Sequence, residues 1–489
     1  MEVNQGGGPF PDQSGGYSVV LSEKVLDMAQ VLEIDKLWTA LGFGNCSRRR
    51  TAYTSEQRIA AVMAGLACGL RGVAPGNLWL RPNTAMQQRL RGRFPDQGTI
   101  HRWLGQVTQD QAADLRHHLH EVVRVHGRFW NEIWSTRLLI VDLDGQGLIA
   151  RGRRFEHAKT GYMGGALDQG YQRYVCYAGE TAEVLDELLT SGNRTAMSVL
   201  PEMLQGLNEV IPRSYRDRVL LRGDAHFGTA ANLYQMRKAG YHYLCPLFNC
   251  WSKKKLKEQV RGCKGGWVEI ADSTGQVHRF QFWRVRRLTL RAKRKRGEVR
   301  PRATVYCERN ADGEESWTVL LTDLKRMSAA RMWQEYQQRN GTIEEYNDQS
   351  ERAYHLDVMR TGNFAGLNAL QCLVGLCWNL TRWATEELRL PPVLAPNADP
   401  TVWVAAAAID MDQLMQRARH SGLRLYRESP SSTLEVETVP PARRAKPGFV
   451  FFNNQYSDVS VWRGNCAILT MGFGHLTHQR MVRNLPVGR

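Results

Sequence analysis

The sequence predicts an α/β fold: a mixed sheet carrying helices and interrupted by a β-rich insertion, with a helical block before it and a small C-terminal segment after it. Three observations carry this. From about residue 136, apolar runs of strand length alternate with helix-length stretches, as in Leu138-Leu139-Ile140-Val141-Asp142-Leu143-Asp144 and Val219-Leu220-Leu221-Arg222-Gly223-Asp224. Between about 250 and 315 short β-like runs replace that alternation. Three separated acidic residues fall at strand, strand and helix positions: Asp144 and Asp224 close the two apolar runs, and Glu344 lies in a helical stretch that begins Tyr336-Gln337-Gln338-Arg339. A lone Asp at a strand end is ordinarily a turn residue; three carboxylates in this order are more specific.

The chain has 489 residues, 43% of them hydrophobic, enough to bury a large core and to divide into two to four domains. No run of about 18 consecutive apolar residues occurs, so no membrane association is expected. Residues 1–17, with Gly6-Gly7-Gly8-Pro9, read as a disordered N-terminus with neither a secretory charge pattern nor an apolar core, which points to the cytoplasm. The ten cysteines form no close CxxC pair, and Cys68, Cys176, Cys372 and Cys377 sit in apolar runs, as reduced buried thiols do. Net charge is +17, from 65 Lys and Arg against 48 Asp and Glu. The surplus is clustered, in Arg48-Arg49-Arg50, in Lys253-Lys254-Lys255 with Lys257, and in the series from Arg284 to Arg296 that ends Lys293, Arg294, Lys295, Arg296. Clustered positive charge favours a polyanionic partner, because neutralised phosphates release counterions.

Taken in order, residues 18–130 read as a helical, DNA-binding domain. Thr54-Ser55-Glu56-Gln57 resembles a capping box before the apolar-periodic stretch Ile59 to Leu70, and a turn at Gly98-Thr99 precedes a short helix through Ile100, Trp103 and Leu104. Two short helices around a turn make either a helix-turn-helix or an ordinary bundle; in the first case Gly98 to Leu104 is the groove element and Arg102 its probe. Residues 131–249 give strands at Leu138 to Asp144 and Tyr174 to Tyr177, a third strand or bend at Gly179-Glu180-Thr181 with Val184-Leu185, a helix from Thr195 to Val210, the strand from Val219, a helix from Ala230 to Lys238, and the strand Tyr243-Leu244-Cys245. In 250–315, Trp267 to Ile270, His278 to Trp283 and Ala303 to Tyr306 surround the basic series. Residues 316–388 return to a strand, Trp317 to Leu321, then the helix with Glu344 and a buried helix from Asn368 to Thr385. A Pro-rich linker, 389–400, leads to a C-terminal segment, 401–489, of no assigned role.

Strand, strand, helix is the order in which an RNase H-like mixed sheet delivers metal-binding carboxylates. Over residues 55 to 385 the chain resembles DDE transposases of bacterial insertion sequences, of the class with a β-insertion and a Tyr-Arg-Glu-Lys signature. The resemblance rests on Asp142-Leu143-Asp144, on Gly179-Glu180-Thr181 before a helix, on Leu221-Arg222-Gly223-Asp224-Ala225-His226-Phe227, on Leu320-Leu321-Thr322-Asp323-Leu324, and on Tyr336, Arg339 and Gly341-Thr342-Ile343-Glu344. There are departures. Glu344 follows Arg339 by five residues where the family has four, and Glu351 stands where the signature lysine would fall, with Arg352 next. Glu345 is the alternative third carboxylate, since Arg352 lies seven beyond it. Asp142 is the alternative first one, because residues two apart on a strand share a face; Asp144 is preferred as nearer the Gly145 turn.

The resemblance implies catalysis by Asp144, Asp224 and Glu344 with two ions of Mg2+ or Mn2+, hard cations suited to oxygen ligands, whereas the scattered His and Cys do not suit a zinc site. It implies phosphate contacts by Tyr336, Arg339, Arg352 and the Lys293 to Arg296 cluster, and base stacking by Trp267 or Trp283 unless these are core residues. His226, two beyond Asp224, reads as a structural histidine. The partner expected is double-stranded DNA, both terminal inverted repeats and target, bound by a homodimer in a synaptic complex associated with a bacterial nucleoid. The competing functions are a domesticated, catalytically inactive DNA-binding protein and a host RNase H-like nuclease.

Overall fold

The computed structural model describes residues 19–40, 53–135, 138–261, 263, 266–271, 277–285, 288–291, 297–309, 313–356, 358 and 361–387, and the strands at 423–428 and 434–438. Two compact units divide it, one holding residues up to Ile100 and from Leu380 onward, the other running from His101 to Asn379.

The first unit opens with α1 (Val19–Val31), α2 (Ile34–Ala40), α3 (Ser55–Ala67), α4 (Gly76–Trp79) and α5 (Thr84–Arg89), and takes in the start of α6 (Gln97–Leu104). Helix α3 begins at the expected capping box: Gln57 N donates to Thr54 Oγ1 (3.1 Å) and Thr54 N to Gln57 Oε1 (2.9 Å), which satisfies two amides that have no partner inside the helix. Its residues from Arg58 to Ala64, with Leu66 and Ala67, are then buried on nearly every side. Ser22 donates to Ala64 O (2.7 Å) and Asp27 pairs with Arg89, tying α1 to α3 and α5.

Helices α7 (Gln109–His126) and α8 (Phe129–Trp134) belong to the second unit. The division between the two units falls inside α6, after Ile100. The reason is polar anchoring to the sheet: Arg116 on α7 grips Asp186, and Glu183 accepts from Arg128 N (2.8 Å) and Phe129 N (2.9 Å), capping α8.

The second unit continues with β1 (Leu139–Ile149), β2 (Lys159–Met163), β3 (Ala166–Ala178), β4 (Glu183–Ser191), α9 (Ala196–Val210), β5 (Val219–Gly223), α10 (Ala230–Ala239), β6 (His242–Pro246) and α11 (Cys250–Arg261). Then come β7 (Val268–Ala271), β8 (Val277–Val285), β9 (Leu290–Arg291), β10 (Glu298–Val299), β11 (Arg302–Arg309), β12 (Glu315–Thr322), α12 (Ala329–Gln337), α13 (Ile343–Tyr354) and α14 (Phe364–Glu387), whose residues from Leu380 on count with the first unit. Further on, β13 (Leu423–Glu428) pairs antiparallel with β14 (Leu434–Thr438).

The main sheet has the order β2-β3-β1-β5-β6-β12-β11-β8-β7, with β4 on β3. Strands β4, β3 and β1 are antiparallel neighbours, and β1, β5 and β6 are parallel. This is the RNase H-like mixed sheet expected from the order of apolar runs. Four details differ from that expectation. Strand β1 does not turn at Gly145 but runs on to Ile149, since Gly145 pairs with Tyr174 and a Cβ there would come within 2.6 Å of the Tyr174 ring. Strand β2, polar and mostly exposed, has no apolar pattern to betray it. Residues 179–182 turn into β4, as the strand-or-bend reading allowed, and not into the helix that the resemblance puts after Gly179-Glu180-Thr181. The β-rich insertion is not set apart: β12 pairs with β6, so β7, β8, β11 and β12 lengthen the same sheet. Ile140, Leu220 and Leu244 share one apolar cluster with Phe280, Tyr306, Leu320 and Trp333, which welds that extension to the core.

Helix α14 has the length and hydropathy of a membrane span over Phe364–Ala384, but most of that stretch is buried in protein. The described cysteines are free thiols, buried except Cys250 and Cys263.

Candidate active site

Parallel pairing of β1 with β5 sets Asp142 beside Arg222 and Leu143 beside Gly223. Asp144 follows two residues on along the same face of β1, and Asp224 comes directly after the end of β5. Between Asp142 and Arg222 the charges cancel within the sheet: Arg222 Nε donates to Asp142 Oδ1 (2.5 Å), Arg222 Nη2 to Oδ2 (2.8 Å), and Thr342 Oγ1 to Oδ2 (2.6 Å). Gly179 closes over this pair, with Asp142 Oδ2 3.2 Å from where a Cβ would stand. Both oxygens of Asp142 are thus taken, in a place with no exposure to solvent.

Asp144 has different company. The Arg339 guanidinium pairs with its Oδ1, Asn347 Nδ2 donates to its Oδ2 (2.7 Å), and Arg339 Nη1 reaches on to Glu344 Oε1 (2.9 Å). Burial pushes the Asp144 carboxyl up to about 6; the Arg339 charge opposes this, while Asp224 and Glu344 add like-charge repulsion. Arg339 feels Asp224 as well. One guanidinium thus pairs with two carboxylates and feels a third, and the cluster keeps a negative surplus.

Arg339 and Glu344 do not share a helix. Helix α12 ends at Gln337, a 3-10 turn spans Gln338–Gly341, and Thr342 (φ −122°, ψ −88°) breaks the chain before α13. Glu344 in the first turn of α13 is half-exposed, and Asn347 one turn later faces the same side. Glu345 points elsewhere, accepting from Gln349 Nε2 (2.8 Å).

Asp224 lies just past β5, where its Oδ1 accepts from His226 N (2.9 Å) and its Oδ2 sits 3.0 Å from His226 Nδ1. His226 is exposed beside Phe248 and is satisfied by this carboxylate. Tyr336 is held in the apolar cluster next to these groups, its phenol pushed up to about 12 chiefly by burial.

Beneath α13 runs a buried polar network that sequence reading missed. Arg173 on β3 pairs with Glu187 on β4 and donates to Tyr346 Oη (2.7 Å) and Ser350 Oγ (2.9 Å), with Gln146 Oε1 (3.2 Å) and Asn347 Oδ1 (3.4 Å) at the edge. Both Arg173 and Glu187 are fully buried. The network fastens the face of α13 that presents Asn347 and Glu344. Its only sequence trace was charged residues inside otherwise apolar strands. Glu351, at the position of the signature lysine, accepts from Gln146 Nε2 (2.7 Å).

The remaining expected residues disperse. Arg352 is exposed and pairs with Asp348 on its own helix. Arg102 is exposed on α6, with Trp103 and Leu104 buried behind it. Trp267 packs under the guanidinium groups of Arg279 and Arg309, and Trp283 stacks on Trp317 at 5.7 Å, so these rings already have protein partners. Lys293, Arg294, Lys295 and Arg296 lie outside the described residues.

An RNase H-like sheet with clustered carboxylates defines a class of phosphodiester-processing enzymes. Residues 135–380, half of the chain, match the family described as transposase DDE domain, and the chain belongs to that family. DNA transposition is the family-level function, and divalent metal ions are the family's cofactors. No curated protein matches the chain. Among solved structures it is similar to a piggyBac transposase, determined by cryo-EM as a synaptic complex with hairpin DNA, at 12% identity over 82% of each chain with a TM-score of 0.36. That likeness is too distant to carry residue correspondences.

Proposed function

We propose that this protein is an active cut-and-paste transposase whose catalytic carboxylates are Asp144, Asp224 and Glu344. The observation that carries the reading is that Arg339 pairs with both Asp144 and Glu344, while the Asp144 carboxyl, pushed up chiefly by burial, is pushed up further by Asp224 and Glu344 nearby. All-oxygen donors of this kind fit Mg2+ or Mn2+. Two such ions, when bound, activate the attacking oxygen and neutralise charge on the leaving one. The chain's own groups supply the rest. Asn347 and His226 orient Asp144 and Asp224, and Arg339, released from the carboxylates, is within reach of a DNA phosphate that its planar fork suits. Hydrolysis breaks the phosphodiester at the element's end and frees a 3′-hydroxyl; that hydroxyl then attacks a target phosphodiester, which releases a target 3′-hydroxyl. The helices before His101 are the proposed reader of the terminal repeats, with Arg102 just beyond them at the groove, and synapsis of two ends calls for a homodimer.

The alternative, a catalytically inactive DNA-binding protein, is favoured by one observation: Glu351 occupies the lysine position and is already bonded to Gln146. Cleavage of duplexes carrying the DNA ends that flank the gene, with Mg2+ or Mn2+, separates the two readings. The active enzyme cuts these duplexes, and Asp144→Asn, Asp224→Asn and Glu344→Gln each lower the rate by about 10³-fold, as loss of several kcal/mol of charge stabilisation requires, while DNA binding persists. Wild-type protein that binds the ends but never cuts them establishes the inactive reading. Cleavage lost in Glu345→Gln but kept in Glu344→Gln moves the third role to Glu345.

A further inference from the structure

Helices α7 and α9 bring together a second set of ligand-bearing side chains. His117 and His120 stand one helical turn apart on α7, so both project from the same face. Glu209, near the end of α9, places its Oε2 3.0 Å from His117 Nδ1 and 2.8 Å from His120 Nδ1. All three atoms lie within 4.8 Å of one another. Behind them, His120 Nε2 sits 2.7 Å from Oδ1 of Asp186, a carboxylate that is buried and held by two 2.7 Å bonds from Arg116. Held by Arg116, Asp186 accepts the Nε2 proton of His120, so that once an ion displaces the proton between Nδ1 and Glu209, the Nδ1 lone pair can face it. A histidine whose far nitrogen is held by a buried carboxylate is the arrangement that supports metal-bound imidazole. His117 is 67% exposed, so an ion can enter from solvent.

We propose that His117, His120 and Glu209 form a binding site for one zinc-class divalent ion, with the fourth position open to water, and that the ion staples α7 to α9. Two imidazole nitrogens and one carboxylate oxygen suit zinc or cobalt and not magnesium, which prefers oxygen. The sequence hid the site because Glu209 lies 89 residues beyond His120. The site is separate from the proposed catalytic centre and stands whether or not that reading does.

The test uses the full chain, stripped with a chelator and titrated with Zn2+ against a chromophoric indicator, and with Co2+ by visible absorption. The expected result is one tightly bound ion that persists in the Asp144→Asn, Asp224→Asn, Glu344→Gln triple variant. His117→Ala and Glu209→Gln, both at solvent-accessible positions, should each weaken it by at least tenfold and abolish the cobalt spectrum, and Asp186→Asn by about 10- to 100-fold through the second layer of contacts. Micromolar Zn2+ should raise the melting temperature of the wild type and not that of His117→Ala. The proposal is overturned if the wild type takes up no ion at micromolar Zn2+, if His117→Ala and Glu209→Gln both bind as the wild type does, or if uptake is lost in the carboxylate triple variant. The first of these outcomes would make the cluster a metal-free ion pair of imidazolium and carboxylate.

Discussion

Asp142 and Asp144 share one face of one strand, and what separates them is the cation that reaches each. Arg222, only 1% exposed, spends its fork on Asp142, whereas Asp144 meets Arg339, whose second arm holds Glu344. That the two aspartates face the same way was legible from a spacing of two; which one the sheet neutralises was not, because Arg222 comes 80 residues later, across a parallel pairing. In the chelator-treated protein, Asp142→Asn should cost about 3–5 kcal/mol, since it strands a buried guanidinium. Asp144→Asn should cost clearly less, because Arg339 keeps Glu344. Thermal and urea unfolding of the two variants checks this, and equal losses would refute the division of labour between the aspartates.

At the scale of elements, the distance between the signature arginine and glutamate is the informative case. The sequence has one residue more than the family pattern and reads as one continuous helical stretch from Tyr336. The chain instead absorbs the extra residue in the 3-10 turn Gln338–Gly341 and the break at Thr342, and still brings Arg339 Nη1 to 2.9 Å from Glu344. No periodicity signals such a break, because both flanking helices keep their apolar stripes. What holds α13 in register after the break is the buried Arg173–Glu187 pair with Tyr346 and Ser350. Arg173→Met should therefore destabilise the protein by about 3–5 kcal/mol by leaving Glu187 buried without its cation. It should also lower cleavage, as Asn347 and Glu344 lose their footing. Adding Glu187→Gln should recover much of the stability; a double variant no more stable than Arg173→Met would mean that the pair acts through something other than charge.

At the scale of the whole molecule, the alternation of strands and helices announced the central sheet, and the +17 charge announced the kind of partner. The division between the two units after Ile100 was not legible, since helices on either side of it share the same amphipathic pattern. The difference lies in long-range polar contacts: α7 carries Arg116 and His120 to Asp186, and α8 receives Glu183 at its start. Cutting at residue 130 would remove these partners and leave Asp186 and Glu183 buried and uncompensated, while cutting at 100 would spare them. A 101–489 fragment should accordingly melt cooperatively and bind DNA with a strong salt dependence, a slope of about 0.9 per phosphate contact, yet lose its preference for terminal repeats over random duplex. A 131–489 fragment should fail to fold. Circular dichroism melts and competition gel shifts at two salt concentrations decide both points. Cooperative melting of the shorter fragment would detach α7 and α8 from the core, and full discrimination by the longer one would move end recognition out of the helices that precede His101.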